Sequence, residues 1–323
     1  YTKRENKMKL MNIFDGDIAH SPSWKEAGLE CGVRDPNLQH LIDPPLNVRW
    51  IRKQKYFVED GDSTGITIFT DRFLYPNLRE LYSSVESPHK VALLLESPAV
   101  TPRIYNDIVE IEDCFDFIFT FSKKLLERDS KKYKYVPADW VCIEKESHVP
   151  HEKTNLVSMI YSEKPDGDRP LRHEVGRRFH NKIELFGSGS PKGEELMKSK
   201  TLNSYMFSVA MENCISDHYY TEKILDCFST RNVPIYRGTK LISEFFDERG
   251  IIVWNELDEL ENILNDLSAE KYEEMKPYIE NNFELSQKYL NADDVLYDMI
   301  KKCIDDNEYD TIKEFQHENN FRN

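Results

Sequence analysis

The chain has 323 residues and a formal net charge of −15, from 58 acidic and 43 basic side chains. This length is large for one hydrophobic core and favours two domains. The acidic balance argues against a nucleic-acid-binding protein, because no broad basic face remains to neutralise a phosphate backbone. A few local cations must therefore hold any anionic ligand.

Cysteine usage and the lack of targeting signals predict a cytoplasmic protein. None of the six cysteines shows CxxC or zinc-ligand spacing, so we interpret all as reduced thiols: Cys31, Cys114, Cys142, Cys214, Cys227 and Cys303. There is no glycosylation sequon, no signal peptide, and no apolar run near the ~20 residues of a membrane span. We expect no membrane span in this chain. It begins with Tyr1 instead of Met, so this expectation covers only the printed residues.

The chain opens with a short apolar segment at 9–14 that is typical of a strand. Residues 21–62 are rich in proline, aspartate and charge, which predicts an irregular region whose function the sequence leaves open. Asp-Gly-Asp triplets occur at 15–17, 60–62 and 166–168. Such aspartates could hold a metal ion, but Asp-Gly turns are expected in so acidic a chain. We therefore predict turns and no metal site.

A candidate acid–base residue follows one of the next strands. Residues 66–70 and 91–95 are apolar runs that predict strands, and Glu96 stands directly after the second, before Ser97 and Pro98. One interpretation is a surface carboxylate ahead of a proline turn. The other is a catalytic base at a sheet edge. The residues alone leave both open.

The middle of the chain contains the predicted domain boundary. Residues 115–122 and 133–140 predict further extended segments. His148 and His151, with Glu152 beside them, could begin a metal site, but no further ligand is apparent and we interpret them as a linker. A new α/β series starts after them, so we place the boundary between residues 153 and 154.

The second series predicts a strand at 155–162, a helix at 172–180 and a strand at 183–186. A glycine-rich segment at 187–193 then resembles a dinucleotide-binding loop. Pro191 lies within it, and the segment that follows is short for the crossover helix such a loop requires. We therefore do not predict NAD binding.

The most informative stretch is a strand–loop–helix–strand unit. Residues 206–211 predict a buried strand that ends at Glu212 and Asn213, and Thr221 stands where a helix N-cap is expected. A second short strand covers 233–236. The polar residues gather where the first strand meets the helix, which is the edge at which open α/β sheets bind ligands.

Lys223 falls in the first turn of this helix. A cation there is disfavoured by roughly 0.3–1 kcal/mol, because the helix dipole is positive at that end. Its placement is explained if an anion such as a phosphate binds at the terminus. A solvated lysine paired with Glu222 also explains it, and the residues alone favour this second interpretation.

The last third of the chain predicts a helix at 241–247, a strand at 251–254 and a helix at 256–267. From 268 to 306 the pattern is charged and helical with an apolar stripe, which favours amphipathic helices packing on the body. The final residues are acidic.

These motifs resemble a known enzyme family. Within 212–238 the segments EN, TEK and VPIYRG resemble the donor-site signature of the α1,3/α1,4-fucosyltransferases (glycosyltransferase family 10), whose members typically carry FEN, DYITEKL and VPVxxG. The residues at 96–102, ESPAVTP, resemble the ESPxxTP segment of the same family. Departures are Met211, Cys214 and His218.

The resemblance implies an α/β protein of the GT-B class, with two Rossmann-like domains facing across a cleft. In that arrangement residues 1–153 form the acceptor-binding domain and 154–285 form the donor-binding domain. Residues 286–323 form a helical tail that packs back across the domains.

The resemblance also implies an inverting transfer of L-fucose from GDP-L-fucose to a hydroxyl of a glycan acceptor, without a metal or other cofactor. Glu96 is then the general base. The family places an arginine on the helix before the donor strand, and the alignment favours Arg172 over Arg177 and Arg178. The implied donor-binding residues are Arg172, Asn213, Tyr219, Glu222 and Lys223.

Two alternatives stay open at this point. One is a glycosyltransferase that uses a different nucleotide sugar, and the other is a homologue that binds a nucleotide sugar without turnover. Retention of Glu96 and Lys223 argues against the second. The acceptor is also open, because residues 136–140, VPADW, stand where family members often carry Pro-Tyr-Gly.

Overall fold

The computed structural model describes residues 8–14, 51–57, 65–143, 145–160, 169–187, 190, 198–290 and 292–317. The chain divides into two compact units. The first comprises Tyr1–Ala138 and Asn291–Ile312, and the second comprises Asp139–Leu290 and Lys313–Asn323. Each unit contains one β-sheet with helices around it.

Both units combine strands with helices of 4 to 18 residues. The strands are β1 Met8–Phe14, β2 Ile51–Phe57, β3 Ile66–Thr70, β4 His89–Leu94, β5 Phe117–Thr120, β6 Tyr133–Tyr135, β7 Asn155–Ile160, β8 Glu184–Phe186, β9 Tyr205–Met211, β10 Val233–Arg237 and β11 Ile252–Val253. The helices are α1 Arg79–Ser84, α2 Pro102–Asp107, α3 Lys123–Leu126, α4 Arg169–Phe179, α5 Lys198–Leu202, α6 Glu222–Ser229, α7 Leu257–Asp266, α8 Ala269–Ser286 and α9 Ala292–Asp305.

The sheet of the first unit has the order β2-β1-β3-β4-β5-β6. Apart from the antiparallel pair β1 and β2, neighbouring strands are parallel. Every residue of β3 is buried, as are the last four of β4. Strands covered on both faces are expected to appear as continuous apolar runs, and this is why the runs at 66–70 and 91–95 were recognisable.

One prediction in the first unit is wrong. The stretch 21–62 was expected to be irregular throughout, but its residues 51–57 form β2, paired in antiparallel register with β1 from Ile51–Phe14 to Phe57–Met8. The sequence IRKQKYF lacks a continuous apolar run, so its pattern did not predict a strand. Backbone pairing with β1 stabilises it instead.

The sheet of the second unit is entirely parallel, with the order β11-β10-β9-β7-β8. If β7 is numbered as the first strand of this sheet, the order is 2-1-3-4-5, which is typical of one doubly wound class. In that class the direction in which successive strands are added to the sheet reverses between the first and third strands. The reversal therefore lies between β7 and β9. The core includes Phe207 and Val209 of β9 with Val233 and Ile235 of β10.

Most helix predictions in the second unit are confirmed. The helix predicted at 172–180 is α4, and the one at 256–267 is α7, which begins with a capping box between Glu256 and Glu259. The helix predicted at 241–247 is wrong, since only a 3₁₀ turn forms there, at Ile242–Glu244. Among the described residues, no helix combines the length and apolar character needed to cross a bilayer.

Residues 139–153 belong by their contacts to the second unit. The Cys142 amide donates to Asp226 Oδ1 at 2.7 Å, and Lys153 Nζ donates to the Thr230 carbonyl at 2.7 Å. The sequence analysis drew the border between 153 and 154, because it treated the polar segment around His148 as a linker. Helix α9 belongs to the first unit, where Thr311 Oγ1 after it donates to the Tyr135 carbonyl at 2.9 Å.

Candidate functional site

The strand order of the second unit points to one edge of its sheet. Ligands of open α/β sheets bind beyond the carboxyl ends of the strands, where the winding direction reverses. Here the reversal lies between β7 and β9. Glu212 and Asn213 follow β9 directly, and Arg172 lies in the first turn of α4, the helix after β7. Two residues of the predicted motif and the predicted arginine are therefore brought to this edge.

Arg172 is 5% exposed, and its guanidinium donates to the Met211 carbonyl and to Asn213 Oδ1, the latter at 3.3 Å. The two arginines that competed with Arg172 in the alignment, Arg177 and Arg178, lie elsewhere on α4. Arg178 forms ion pairs of 3.1 and 2.6 Å with two acidic residues of α7, and Arg177 is exposed. The geometry therefore distinguishes Arg172 from Arg177 and Arg178 as the candidate donor-binding arginine. The sequence alone favoured Arg172 only by alignment.

Thr221 connects the end of β9 to the start of α6. It is the predicted N-cap, with extended backbone and an Oγ1 that accepts from the Lys223 amide at 3.4 Å. The same hydroxyl donates to Glu212 Oε2 at 2.7 Å and accepts from Lys223 Nζ at 2.8 Å. The Thr221 amide donates to Glu212 Oε1 at 2.9 Å. One threonine thus fixes both the buried carboxylate and the lysine.

Glu212 is 1% exposed and lies at the centre of this arrangement. Burial raises its pKa, while Lys223 and the Thr221 hydrogen bonds act in the opposite direction. Gly238 makes room for it, because a Cβ there would lie 2.7 Å from Glu212 Cγ and 2.1 Å from the Tyr236 hydroxyl. The sequence analysis noted Glu212 in the motif without assigning it a role in the site.

Lys223 is neither a lone cation nor a solvated one. Its Nζ lies 3.2 Å from Glu222 Oε2 and 3.6 Å from Glu212 Oε2, and its side chain is 21% exposed. Burial lowers the pKa of Lys223, but attraction to Glu222 and Glu212 outweighs burial, so the pKa is raised and the ammonium persists. The predicted pairing with Glu222 is therefore present, but Glu212 is a second partner and the lysine is partly buried instead of solvated. Anion binding at this helix terminus stays a prediction.

Glu96 lies in the first unit, two residues beyond β4, and is half-buried. Its amide donates to Asp71 Oδ1 at 3.1 Å, and its carbonyl accepts from the Tyr105 hydroxyl at 2.5 Å. The carboxylate is therefore carried at the carboxyl end of a parallel strand, the position expected for a functional side chain in this fold.

Comparison with known proteins then decides the family. Residues 150–313 match the model described as "Glycosyltransferase family 10 (fucosyltransferase) C-term", and this range is just over half of the 323 residues. The chain belongs to glycosyltransferase family 10. A comparison with curated protein sequences finds no significant match.

Solved structures show a fold likeness of modest strength. A crystal structure of an α1,3-fucosyltransferase with GDP gives a TM-score of 0.48 at 15% identity, covering 92% of this chain and 94% of that one. One with GDP-fucose gives 0.43 at 14% identity, covering 72% and 78%. The catalytic domain of starch synthase IV from Arabidopsis thaliana, bound to ADP and acarbose, gives 0.45 at 11% identity, covering 72% of each. At such scores the family match alone supports the assignment.

As a member of family 10, the chain is a glycosyltransferase of the fucosyltransferase type. Both units are α/β with mainly parallel sheets, so the predicted GT-B class of two Rossmann-like domains is confirmed. The family match covers the donor motif and does not reach Glu96.

In this family-10 chain, a second group of charges adjoins the donor motif. Lys198 Nζ lies 3.1 Å from Asp226 Oδ2 and 3.6 Å from Glu222 Oε1. Burial raises the pKa of Glu222, but Lys223 and Lys198 more than offset burial and hold it well below the usual value. Glu222 is thus a carboxylate with two cationic neighbours.

The pKa of Asp139 is shifted in the opposite direction to that of Glu222. Burial, and then repulsion from the Glu222 carboxylate, raises the pKa of Asp139 well above its ordinary value. Its Oδ1 accepts from the Trp140 amide at 2.8 Å. Asp139, Lys198 and Asp226 were not predicted from the sequence. The only signal was that Asp139 lies in VPADW, the segment that departs from the family pattern.

Tyr219, the predicted nucleoside contact, is 3% exposed. His218 before it has a left-handed backbone with φ of 56°, and its Nε2 lies 3.2 Å from Glu244 Oε2. The following Tyr220 is fully buried, with its hydroxyl 2.8 Å from that of Tyr289. The loop therefore packs its aromatic side chains inward.

The metal predictions rest mainly on residues outside the described part. This holds for the triplets at 15–17, 60–62 and 166–168, and the glycine-rich segment that was considered for NAD binding also lies mostly outside the described residues. Within the described ranges, no group of three or more His, Cys, Asp and Glu side chains is placed to hold a metal ion. His148 Nε2 instead lies 3.2 Å from the Ile143 carbonyl.

Proposed function

We propose that the chain transfers L-fucose from GDP-L-fucose to a hydroxyl of a glycan acceptor, with inversion at the anomeric carbon. The observation that carries this proposal is the arrangement at the reversal edge of the second sheet. There a buried Arg172 and a partly buried Lys223 lie among residues of the family-10 donor motif. Two cations held at one sheet edge suit a diphosphate.

The proposed step is a single displacement. Glu96 takes the proton from the acceptor hydroxyl as its oxygen bonds to the anomeric carbon, and the bond from that carbon to the β-phosphate oxygen breaks. GDP leaves with the bonding electron pair. Charge developing on the leaving phosphate is stabilised by fixed cations, here Arg172 and Lys223. We therefore propose a reaction that requires no metal or other cofactor.

The remaining donor contacts follow from the family resemblance and the geometry. Asn213 is held by Arg172, and Glu222 by Lys223 and Lys198, so each presents a polar group in a restrained position. We assign them to the ribose or to sugar hydroxyls. Tyr219 is assigned to the nucleoside.

A ligand panel tests the donor. Only ligands that prefer the folded state raise its melting temperature, by RT ln(1 + [L]/Kd) in free energy. We expect stabilisation by GDP and GDP-L-fucose, a smaller shift with GDP-mannose, and none with UDP-sugars or NAD. A preference for UDP-sugars would establish the alternative with a different donor.

Turnover and stereochemistry need a second measurement. Incubation with GDP-L-fucose and a panel of glycan acceptors is expected to release GDP, and NMR of the product is expected to show an α-fucoside from the β-linked donor. Donor binding with neither transfer nor donor hydrolysis would support the non-catalytic alternative. A β-fucoside would contradict inversion.

A further inference from the structure

The side chain of Asp71, just after β3, is hydrogen-bonded to the main chain at Glu96. Asp71 directly follows β3 and is 5% exposed. Its Oδ1 accepts from the Leu95 amide at 3.0 Å and from the Glu96 amide at 3.1 Å. Hydrogen bonds to an ionised acceptor are about twice as strong as neutral ones. Two successive amides are thus fixed by one carboxylate.

The topology explains why this contact can form. Strands β3 and β4 are parallel neighbours in register from Ile66–His89 to Thr70–Leu93. Their carboxyl ends therefore reach the same edge together. Buried amides need a partner. Just beyond the end of β4, Asp71 supplies an acceptor for two of them.

Contacts on the other side of the peptide complete the restraint. The Tyr105 hydroxyl of α2 donates to the Glu96 carbonyl at 2.5 Å. The Ser97 carbonyl accepts from the amides of Val100 and Thr101, both at 2.9 Å, which fixes the turn that follows. The backbone that carries the Glu96 side chain is thus held at its own amide, its own carbonyl and the next residue.

We propose that Asp71 is a positioning residue for Glu96, acting through the two amide hydrogen bonds. The inference rests on the proposed function, in which Glu96 is the base. A general base must lie within hydrogen-bond reach of the proton that it takes. Loss of the Asp71 contacts lets this backbone move, and misplacement by about 1 Å can cost ~10²-fold in rate.

Three variants separate positioning from general stability. Asp71→Ala removes the acceptor, and we expect kcat to fall roughly 10- to 100-fold while KM for GDP-L-fucose and the Kd of GDP stay within about twofold. Asp71→Asn retains an Oδ1 that can accept both amide protons, and we expect it to keep most of the activity. This rescue also covers the case in which Asp71→Ala folds poorly.

Asp116→Ala is the matched control. Asp116 Oδ2 accepts from the Lys90 amide at 2.8 Å, so it makes the same kind of bond at the opposite end of β4. We expect Asp116→Ala to retain the parental kcat. A loss equal to that of Asp71→Ala would mean that any weakening of β4 lowers the rate, and would overturn the inference.

A double-mutant cycle with Glu96→Gln gives the decisive readout, measured with high enzyme concentration and long incubation. A residue that acts only through Glu96 should have no further effect once the base is gone. We expect Asp71→Ala to change the residual rate of Glu96→Gln by less than about twofold. The same fold loss in both backgrounds, or a parental rate for Asp71→Ala alone, would overturn the role of Asp71. A parental rate for Glu96→Gln would instead overturn the proposed base.

Discussion

Lys223 lies in the first turn of α6, where the helix dipole disfavours a cation by roughly 0.3–1 kcal/mol. Contacts with Glu222 at 3.2 Å and Glu212 at 3.6 Å offset that cost within the protein itself. The lysine is thereby held in place before a ligand arrives. A diphosphate at this terminus would gain from a cation whose conformation is already restrained.

The first prediction concerns this cation and its neighbour across the sheet edge. We expect Lys223→Ala and Arg172→Ala each to weaken GDP binding by roughly 1.5–3 kcal/mol, the range for hydrogen bonds to charged groups. Isothermal titration calorimetry measures this. Arg177→Ala, an exposed arginine on the same helix, is the control and should bind GDP as the parent does. Unchanged affinity in Lys223→Ala would contradict the assignment.

The second prediction concerns Gly238. A Cβ there would lie 2.1 Å from the Tyr236 hydroxyl and 2.7 Å from Glu212 Cγ, both in a buried environment. We expect Gly238→Ala to lower the free energy of unfolding by roughly 1–3 kcal/mol, the usual cost of overpacking. Denaturant titration measures it.

Tyr236→Phe removes the closest of the three contacting atoms, the hydroxyl oxygen. In that background Gly238→Ala should cost less than it does in the parent, because the shortest contact is gone while Cζ of the ring at 2.4 Å and Glu212 Cγ at 2.7 Å remain. An equal cost in both backgrounds would show that the tyrosine hydroxyl is not what requires glycine.

At the scale of elements, α6 is held by charges as well as by its apolar face. Ile224, Leu225 and Phe228 are buried, as the sequence pattern indicated. Asp226, on the same helix, is also buried and accepts from the Cys142 amide while pairing with Lys198. A buried carboxylate with two partners fixes the helix against two separate segments of the second unit.

The third prediction is a pH dependence centred on Asp139. Its folded-state pKa is raised well above the ordinary 3.8, so the folded state keeps a proton that the unfolded state loses. The stability associated with that proton is present at low pH and is lost as pH rises from about 4 through the folded-state pKa. Glu222, whose pKa is lowered, acts in the opposite sense, losing its contribution as pH falls below its ordinary 4.5.

Asp139→Asn tests this sign. The amide Oδ1 can still accept from the Trp140 amide, and its NH₂ group can donate to Glu222 without titrating. Relative to the parent, we expect the melting temperature of Asp139→Asn to decline less as pH is raised. Asp139→Ala, which removes both hydrogen bonds, should be less stable at every pH. Parallel pH curves for the parent and the Asn variant would contradict a raised pKa.

At the scale of the whole molecule, the proposed base and the proposed donor cations belong to different units. Glu96 is carried by the first sheet, and Arg172 and Lys223 by the second. Donor binding and transfer should therefore be separable by mutation.

The fourth prediction uses that separation. We expect Glu96→Gln to bind GDP within about twofold of the parent, while transfer falls by ~10²–10⁴, the usual effect of removing a general base. Calorimetry with GDP and a transfer assay give the two values, and the melting temperature reports folding. Transfer at the parental rate would show that the base lies elsewhere.

The fifth prediction is that turnover survives EDTA, because fixed side chains are proposed to stabilise the leaving GDP. Transfer rates with and without chelator should agree within about twofold. The triplet at 15–17 is the competing candidate. Activity that is lost in EDTA, restored by manganese and abolished by Asp15→Asn would establish a metal site there.

Much of the candidate site was predictable because its signals are local. The apolar runs that became β4 and β9 and the N-cap at Thr221 each lie within a few residues of chain, and the donor motif lies within the single stretch 212–238. A buried strand or a cap is formed by neighbouring residues, so its pattern is visible without knowledge of the rest of the fold.

The partners of those residues were decided only by the tertiary structure. Asp71 reaches the Glu96 amide across 25 residues of chain, and Lys198 reaches Asp226 across 28. Such contacts depend on which strands are neighbours and in what register. Strand order and register follow from the packing of whole sheets. The chain has 101 charged side chains, 58 acidic and 43 basic, so no local pattern marks which aspartate or lysine will form such a contact.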